Sequence, residues 1–318
     1  MPLLMSLFFG CPAQPLETAE DTAPVCDISI SETRPANGSE DAYYRASVEF
    51  QLTEPDPTAV VVADFDGVQS TRGDGSIIVY TPTVPLEPET NYTAGLEYCH
   101  GTPEIEFTTS SMGQPIDDPT DLMGNLYSIN MLNARFLAGK EVAETATSLF
   151  DRRLLASVIA VEGDWLHLRL GKASEDDTGT QDYCARTVDL PAANFSNTPW
   201  FHLSANEVDF NAYASELSLL QFQLSGAFSQ DGTSIGGISM QTYVDARDIA
   251  RLVTGQTPDS LCEIVGNLYI ACEPCPTDGH SYCFALTFDS LSATVSDGEL
   301  ESVAEPRSDP RCEDLPEE

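Results

Sequence analysis

Cysteine number and position restrict the folds open to this chain more than any other feature of its sequence. The 318 residues contain nine cysteines, and the first of them, Cys11, follows an apolar N-terminal run. The other eight are Cys26, Cys99, Cys184, Cys262, Cys272, Cys275, Cys283 and Cys312. An even set of this kind predicts four disulfides, which form and persist in oxidising compartments outside the cytoplasm. The odd total leaves Cys11 without a partner, so that residue needs a separate explanation.

The N-terminal segment supplies that explanation. Residues 1–10, MPLLMSLFFG, are almost wholly apolar and end directly before Cys11. Their number suits the apolar region of a signal peptide, whereas a membrane-spanning helix needs about 20 residues. Gly10 followed by Cys11, with Phe8 where leucine is usual, resembles the lipobox of bacterial lipoproteins. The resemblance implies cleavage before Cys11, diacylglycerol on its sulfur, and an acyl anchor in the bacterial cell envelope at the outer membrane.

Charge excludes several classes of partner. The chain has 14 basic and 51 acidic residues, a formal net charge of −37. Such a chain repels nucleic-acid phosphates unless basic residues form a local patch, and the sequence contains no such patch. We therefore expect no nucleic-acid partner, and we leave an envelope protein or a glycan open as the partner. With 42% hydrophobic residues, the chain can nevertheless build folded cores.

Short alternating strands are predicted between Cys26 and Thr109. Val48, Phe50 and Leu52 share one face of a strand, and residues 60–65 and 77–80 are typical of further strands. Seven or so short strands in about 85 residues favour an Ig-like β-sandwich. Cys26 and Cys99 are the cysteines of this segment and would tie its first strand to a late one.

A specific motif in this segment resembles the bacterial Ig-like domains of surface-layer and adhesion proteins. The residues that carry it are Thr81-Pro82, Leu86-x-Pro88-x-Thr90-x-Tyr92 and Phe107-x-Thr109. In such domains a corner tyrosine hydrogen-bonds back to the preceding loop and locks the sandwich. The resemblance assigns this structural role to Tyr92.

Alternation with a period of two also dominates from about residue 122 to residue 302. Leu166, Leu168 and Leu170 share a face, as do Ile238, Met240, Thr242 and Val244. A third one-sided strand is predicted with Leu220, Phe222, Leu224 and Phe228 on its apolar face. We further expect a helix at Asp245–Val253, strands at Ile264–Ala271 and Phe284–Phe288, and a second helix within Glu141–Leu155. Successive antiparallel strands with one apolar face favour a curled sheet or barrel.

This second region is similar to a region of uncharacterised lipoproteins from myxobacteria-like bacteria. The similarity rests on Phe228-Ser-x-Asp231-Gly232, Asp245-x-Arg247 and Cys272-x-x-Cys275-Pro-x-Asp278-Gly279. It implies a location in the envelope and no particular chemistry.

The chain is therefore predicted to be mainly β, with an Ig-like sandwich followed by a larger antiparallel sheet or barrel-like domain. Segments rich in proline and acidic residues mark the tether, the linker and the tail. The predicted organisation is a signal peptide at 1–10, a lipidated tether at 11–25, the sandwich at 26–110, a linker at 111–120, a disulfide-braced β-rich domain at 121–304 and an acidic tail at 305–318.

Three patterns raise the question of chemistry. Gly232-x-Ser234-x-Gly236 matches the nucleophile elbow of hydrolases, but a β-alternating segment follows it where the elbow needs a helix, so we interpret it as a hairpin turn. Cys262, Cys272, Cys275 and Cys283 could hold zinc, yet one C-x-x-C in an exported context favours disulfides, with Cys272–Cys283 as the preferred bridge. The acidic runs Asp64-x-Asp66 and Glu175-Asp176-Asp177 lack the EF-hand pattern and leave only a weak case for calcium.

The remaining candidates give no reaction. Four aromatic residues could line a sugar or ligand site by stacking: Trp165, Trp200, Phe201 and Tyr213. The four histidines, His100, His167, His202 and His280, show no ligand spacing. We find no catalytic, cofactor-binding or metal-binding residues. The sequence predicts a non-enzymatic binding or structural module of the cell envelope, with a lipocalin-like carrier or a carboxylate-based hydrolase as alternatives.

Overall fold

A computed structural model describes residues 26–137, 153–174, 179–212, 215–252, 257–267, 271–306 and 309–312. The predicted signal peptide, Cys11 and the tether lie outside these ranges, as does nearly all of Glu141–Leu155. The chain is mainly β, as predicted, and consists of a closed barrel and two smaller sheets. Within the described ranges, no helix combines the length and the apolar character needed to cross a membrane.

The N-terminal unit is a sandwich of two four-stranded sheets with an Ig-like strand order. One sheet has the order β1-β3-β6-β5 and the other has the order β2-β8-β7-β4. The strands are β1 (Ile30–Arg34), β2 (Ser39–Ala42), β3 (Val48–Leu52), β4 (Val60–Ala63), β5 (Gly67–Arg72), β6 (Ile77–Pro82), β7 (Asn91–Glu97) and β8 (Glu104–Thr109). Strand β2 runs parallel to β8, and the other pairs are antiparallel. The chain thus crosses between sheets at the β1–β2 bend.

The alternation read from the sequence builds the core of the sandwich. Val48, Phe50 and Leu52 of β3 are buried against Leu96 and Phe107 of the opposite sheet. The hydroxyl of Tyr92, at the start of β7, accepts a hydrogen bond of 2.9 Å from the backbone N–H of Glu87. This bond ties the strand to the loop before it, which is the geometry of a tyrosine corner.

The C-terminal unit is an antiparallel barrel. Its strands are β9 (Leu126–Asn130), β10 (Arg135–Phe136), β11 (Arg153–Glu162), β12 (Trp165–Lys172), β13 (Val188–Asp189), β14 (Ala193–Asn197), β15 (Trp200–Ala212), β16 (Ser215–Phe228), β17 (Ser234–Asp245) and β18 (Cys283–Ser296). Strand β9 pairs with β11 on one side and with β18 on the other, so eight strands close into a ring. Short strands β10 and β13 attach outside that ring to β18 and β12.

Large apolar side chains from all eight strands fill the barrel. Tyr127, Phe228 and Leu166 are fully buried there, and the aromatic rings of Phe195 and Phe201 pack around Phe228. Each face alternates along its strand, as predicted for Leu166 and Leu168. A barrel of eight strands is just wide enough for side chains to fill it.

One predicted apolar face is wrong at a single residue. Gln221 has φ 48° and forms a bulge between β16 and β17. A bulge adds one residue to the strand and so reverses the alternation beyond it. Leu219 and Phe222 therefore both face the barrel core, whereas Leu220 packs outside it against Cys275 and Cys283.

The predicted strand at Ile264–Ala271 is also wrong, because a helix occupies its first part. Helix α1 (Ala246–Leu252) lies where a helix was predicted, and α2 (Pro258–Asn267) follows it. Thr257 and Ser260 cap the start of α2 with reciprocal bonds of 3.2 and 2.8 Å, and Pro258 takes the first helical position. Leu261 and Val265, four residues apart, then pack against the barrel core.

The eight remaining cysteines form four disulfides: Cys26–Cys99, Cys184–Cys312, Cys262–Cys272 and Cys275–Cys283. The preferred Cys272–Cys283 bridge is therefore wrong. Glu273 lies opposite Cys283 in a backbone bridge, and side chains alternate along an extended chain. Cys272 consequently points to the opposite side, towards α2, while Cys275 reaches Cys283.

Candidate functional site

The sandwich docks on the outer face of the barrel through the loop after β2. The ring of Tyr43 presses on the backbone of Gly237, where an added Cβ would overlap the ring, and Gly237 has φ 59°. Met112 covers the neighbouring Gly236 in the same way. Glycines allow this close approach because they have no side chain.

These contacts explain the pattern around Ser234. The turn at Gly232 joins β16 to β17, and Ser234 begins β17 rather than a helix. The segment is therefore a hairpin, as predicted, and not a nucleophile elbow. Gly236 and Gly237, which follow Ser234, contact Met112 and Tyr43 of the sandwich side.

Ion pairs join the two units at the far end of the same face. Glu49 of the sandwich is 8% exposed and accepts bonds of 2.7 and 3.0 Å from both terminal nitrogens of Arg135. Arg72 also pairs with Glu49, and Arg135 donates a second fork, of 2.5 and 2.7 Å, to Asp289 of β18. The positive charges of two arginines thus neutralise the negative charges of two carboxylates at the junction.

A cleft of about 900 Å³ lies between the sandwich and the barrel, beside these contacts. Its barrel wall is made by the outward-facing side chains of four adjacent strands, β15 to β18. Strand register aligns them in two rows, His202–Ser225–Ser239 and Gln223–Gln241–Thr287. The hydroxyls of Ser225 and Ser239 share a hydrogen bond of 2.9 Å. These two rows are called the polar platform below.

Arg45 reaches across from the sandwich to one end of the platform. Its guanidinium carbon lies 4.2 Å from the ring centre of Trp200, whose plane is within 6° of that of His202. Its Nε donates a 3.1 Å hydrogen bond to the hydroxyl of Tyr44. Among the described residues, no carboxylate forms an ion pair with Arg45, so its terminal N–H groups remain available to a ligand.

The tyrosines of the junction stay neutral. Burial raises the pKa of Tyr43 and of Tyr44 above the ordinary value of 10.0. Both hydroxyls therefore keep their protons throughout the physiological range. The Tyr43 hydroxyl is buried and makes no hydrogen bond within the described structure.

The structure separates the aromatic residues that the sequence grouped as a ligand site. Trp200 lines the cleft, but Phe201 points into the barrel core and is 2% exposed. Trp165 is 50% exposed at the start of β12, outside the cleft, and Tyr213 lies outside the described residues. Of the four histidines, His202 reaches the cleft, whereas His100, His167 and His280 contact other partners.

The metal-site alternatives gain no support from the geometry. Asp64 accepts a hydrogen bond from the backbone of Thr93, and Glu175-Asp176-Asp177 lies outside the described residues. Asp245, Cys275 and Cys283 meet on the barrel wall, but the two sulfurs are bonded to each other and offer no thiolate. The carrier alternative also lacks a matching space, because aromatic and aliphatic side chains fill the barrel interior.

Sequence reasoning missed Arg45 and the glutamines of the platform. They come from separate strands and match no motif, so only the strand register brings them together. A signal was present in the polar residues that alternate with the apolar ones, Gln223-x-Ser225 and Ser239-x-Gln241. Comparison with protein-family models, with curated proteins and with solved structures found no match for this chain.

Proposed function

We propose that this chain is a non-enzymatic binding module of the bacterial cell envelope, anchored through acylated Cys11. The cleft between the sandwich and the barrel is its ligand site. The observation that carries the proposal is the polar platform, which forms one wall of the 900 Å³ cleft from aligned hydroxyl and amide side chains. Ligand sites are concave and hold a few convergent polar groups.

The arrangement favours holding a ligand over cleaving it. Ser225 and Ser239 hydrogen-bond to each other, and His202 stacks on Trp200. A nucleophile needs a base within hydrogen-bond reach and a third group that orients the base. The side chains of the cleft are instead arranged as parallel rows of donors and acceptors.

Disulfides and the tether support the location. All eight cysteines after residue 25 are paired, which suits an oxidising compartment. The sandwich would then act as the spacer that carries the cleft away from the membrane. Intact mass of the protein extracted from native membranes tests this: an acylated N-terminus at Cys11 is expected, and an unprocessed chain with free thiols would overturn the location.

Photo-crosslinking in living cells tests the cleft as the binding site. A photoreactive residue replaces Ser239 on the platform, and the matched control carries it at Ser70, which is exposed on β5 of the sandwich. We expect an adduct from Ser239 and none from Ser70. Equal labelling from both sites, or none from Ser239, would overturn the proposal.

A further inference from the structure

We propose that the ligand of the cleft is an oligosaccharide, an inference that rests on the proposed binding function and names its ligand class. Carbohydrates present hydroxyls that both donate and accept hydrogen bonds. The platform presents side chains of the same dual capacity: the hydroxyls of Ser225, Ser239 and Thr287 and the amides of Gln223 and Gln241.

The platform presents no free strand edge to a ligand. Strands β15, β16 and β17 each have a neighbouring strand on both sides. A peptide that adds a strand to a sheet needs a free edge. Recognition on this wall therefore uses side chains, along a row that crosses three strands and spans about 10 Å.

The two rows of the platform present polar side chains to the cleft. The apolar residues that alternate with them, Leu224, Met240 and Phe288, pack against the barrel core. Apolar side chains line other parts of the cleft, such as Met112, which lies over Gly236 in the docking contact. A lipid or an apolar peptide laid along the two rows would lose water there without gaining apolar contacts.

Charge in the cleft is balanced, in contrast to the rest of the chain. Glu49 and Asp289 are paired with Arg72 and Arg135, and Arg34 is paired with Glu32. Arg45 remains as a cation held in place by Trp200, and Asp41 lines the same cleft. A ligand rich in hydroxyls suits such a site, and Arg45 adds donors aimed at ligand oxygens.

The two tryptophans allow the test to be made by fluorescence, because the chain contains only Trp165 and Trp200. The full-length, oxidised Trp165→Phe protein carries its single tryptophan in the cleft. It is titrated with chitohexaose, cellohexaose, maltohexaose and hexagalacturonate, and in parallel with a glycine–serine hexapeptide and laurate. We expect saturable emission changes with at least one oligosaccharide and none with the peptide or laurate.

Variants assign the response to the platform. Gln223→Ala combined with Gln241→Ala is expected to weaken the oligosaccharide at least 10-fold, because two side-chain hydrogen-bonding groups are removed. Thr71→Ala, at an exposed position of β5 outside the cleft lining, should stay within 2-fold. Circular dichroism confirms that each variant is folded. The reverse protein, Trp200→Phe, should give no emission change with the same oligosaccharide.

Three results would overturn the inference. They are no emission change with any of the four oligosaccharides, an emission change only with the peptide or laurate, and an emission change from Trp165 in place of Trp200. Failure here is separate from failure of the binding function. A Ser239 adduct in cells without oligosaccharide binding would leave the cleft as a binding site and remove the carbohydrate. Absence of both would remove the two proposals together.

Discussion

At the residue scale, Asp231 shows how a single carboxylate makes stability depend on pH. It accepts hydrogen bonds from the hydroxyl of Ser229 at 2.7 Å and from the N–H and hydroxyl of Thr233 at 3.0 and 2.8 Å. These bonds, the one from Ser229 foremost, lower the pKa of Asp231 to about 2 from an ordinary value of 3.8. Because the folded pKa lies below the unfolded one, the bonds stabilise the fold above about pH 4, and this contribution is lost as pH falls through 2.

Asp231→Asn should therefore lower the melting temperature at pH 7 and have less effect at pH 2. The amide keeps the shape of the side chain but removes its charge, and the wild-type carboxyl becomes neutral as acid is added. Thermal unfolding followed by circular dichroism at pH 7, 4 and 2 measures the difference. Asp297→Asn, at an exposed position, is the control, and a gap that does not change with pH would contradict the assignment.

At the element scale, the contact between the loop after β2 and strand β17 decides how the sandwich and barrel meet. Gly237 is the critical position, because its conformation and the ring of Tyr43 both exclude a side chain. Gly73 has a similar φ of 65° but has nothing within 4 Å of an added Cβ. Substitutions at Gly73 and Gly237 therefore distinguish the cost of backbone strain from the cost of losing the contact with Tyr43.

Gly73→Ala should cost about 1–2 kcal/mol of stability through backbone strain alone. Gly237→Ala should cost more, since the Tyr43 ring must also move. It should also raise hydrogen exchange in residues 43–47, which Gly73→Ala should not. Chemical denaturation and exchange mass spectrometry measure the two effects, and equal behaviour of the variants would show that Tyr43 does not hold the junction.

Glu49 provides a second test of the same junction. Glu49→Gln removes the carboxylate that Arg72 and Arg135 share, while Arg135 keeps its pair with Asp289. Because hydrogen bonds to charged groups contribute about 1.5–3 kcal/mol, we expect a loss of that size. The control, Glu32→Gln, breaks a pair with Arg34 that is 50% exposed on both sides, and should cost less than about 1 kcal/mol. Urea denaturation compares them, and similar losses would mean that the buried network contributes little.

At the scale of the whole molecule, disulfides hold distant parts of the chain together. Cys26–Cys99 closes a loop with a sequence separation of 73, and Cys262–Cys272 closes one of 10. Cross-linking limits the freedom of the unfolded chain, and the longer loop loses more. The four bridges therefore differ in what they contribute.

Replacing both Cys26 and Cys99 with serine should destabilise the protein by about 4 kcal/mol, against about 3 kcal/mol for Cys262 and Cys272. Guanidinium denaturation of the oxidised variants measures the order. A larger loss from the short loop would show that native contacts around α2, rather than chain entropy, dominate.

Much of the architecture could be predicted from local patterns. Alternation identified the core residues of β3 and β12, and helix α1 lies where its apolar residues indicated. The eight cysteines that remain after Cys11 predicted four bridges. The predicted orientation of Leu220 was wrong because the bulge at Gln221 interrupts the alternation. The predicted strand at Ile264–Ala271 was wrong because Thr257 and Ser260 cap a helix there, which alternation does not indicate. Of the predicted aromatic residues that the structure describes, Trp200 lines the cleft and Trp165 and Phe201 do not.

The sequence by itself determined the β character, the Ig-like sandwich and the pairing state of eight cysteines. Side-chain alternation is a local property of each strand, and the number of cysteines can be counted without knowing which of them meet. Tertiary structure decided the rest. Barrel closure depends on residues 126–129 meeting residues 293–296, and the cleft depends on Arg45 meeting Trp200. Such contacts join positions more than 150 residues apart, where register and docking are selected by burial of the whole core rather than by any local preference.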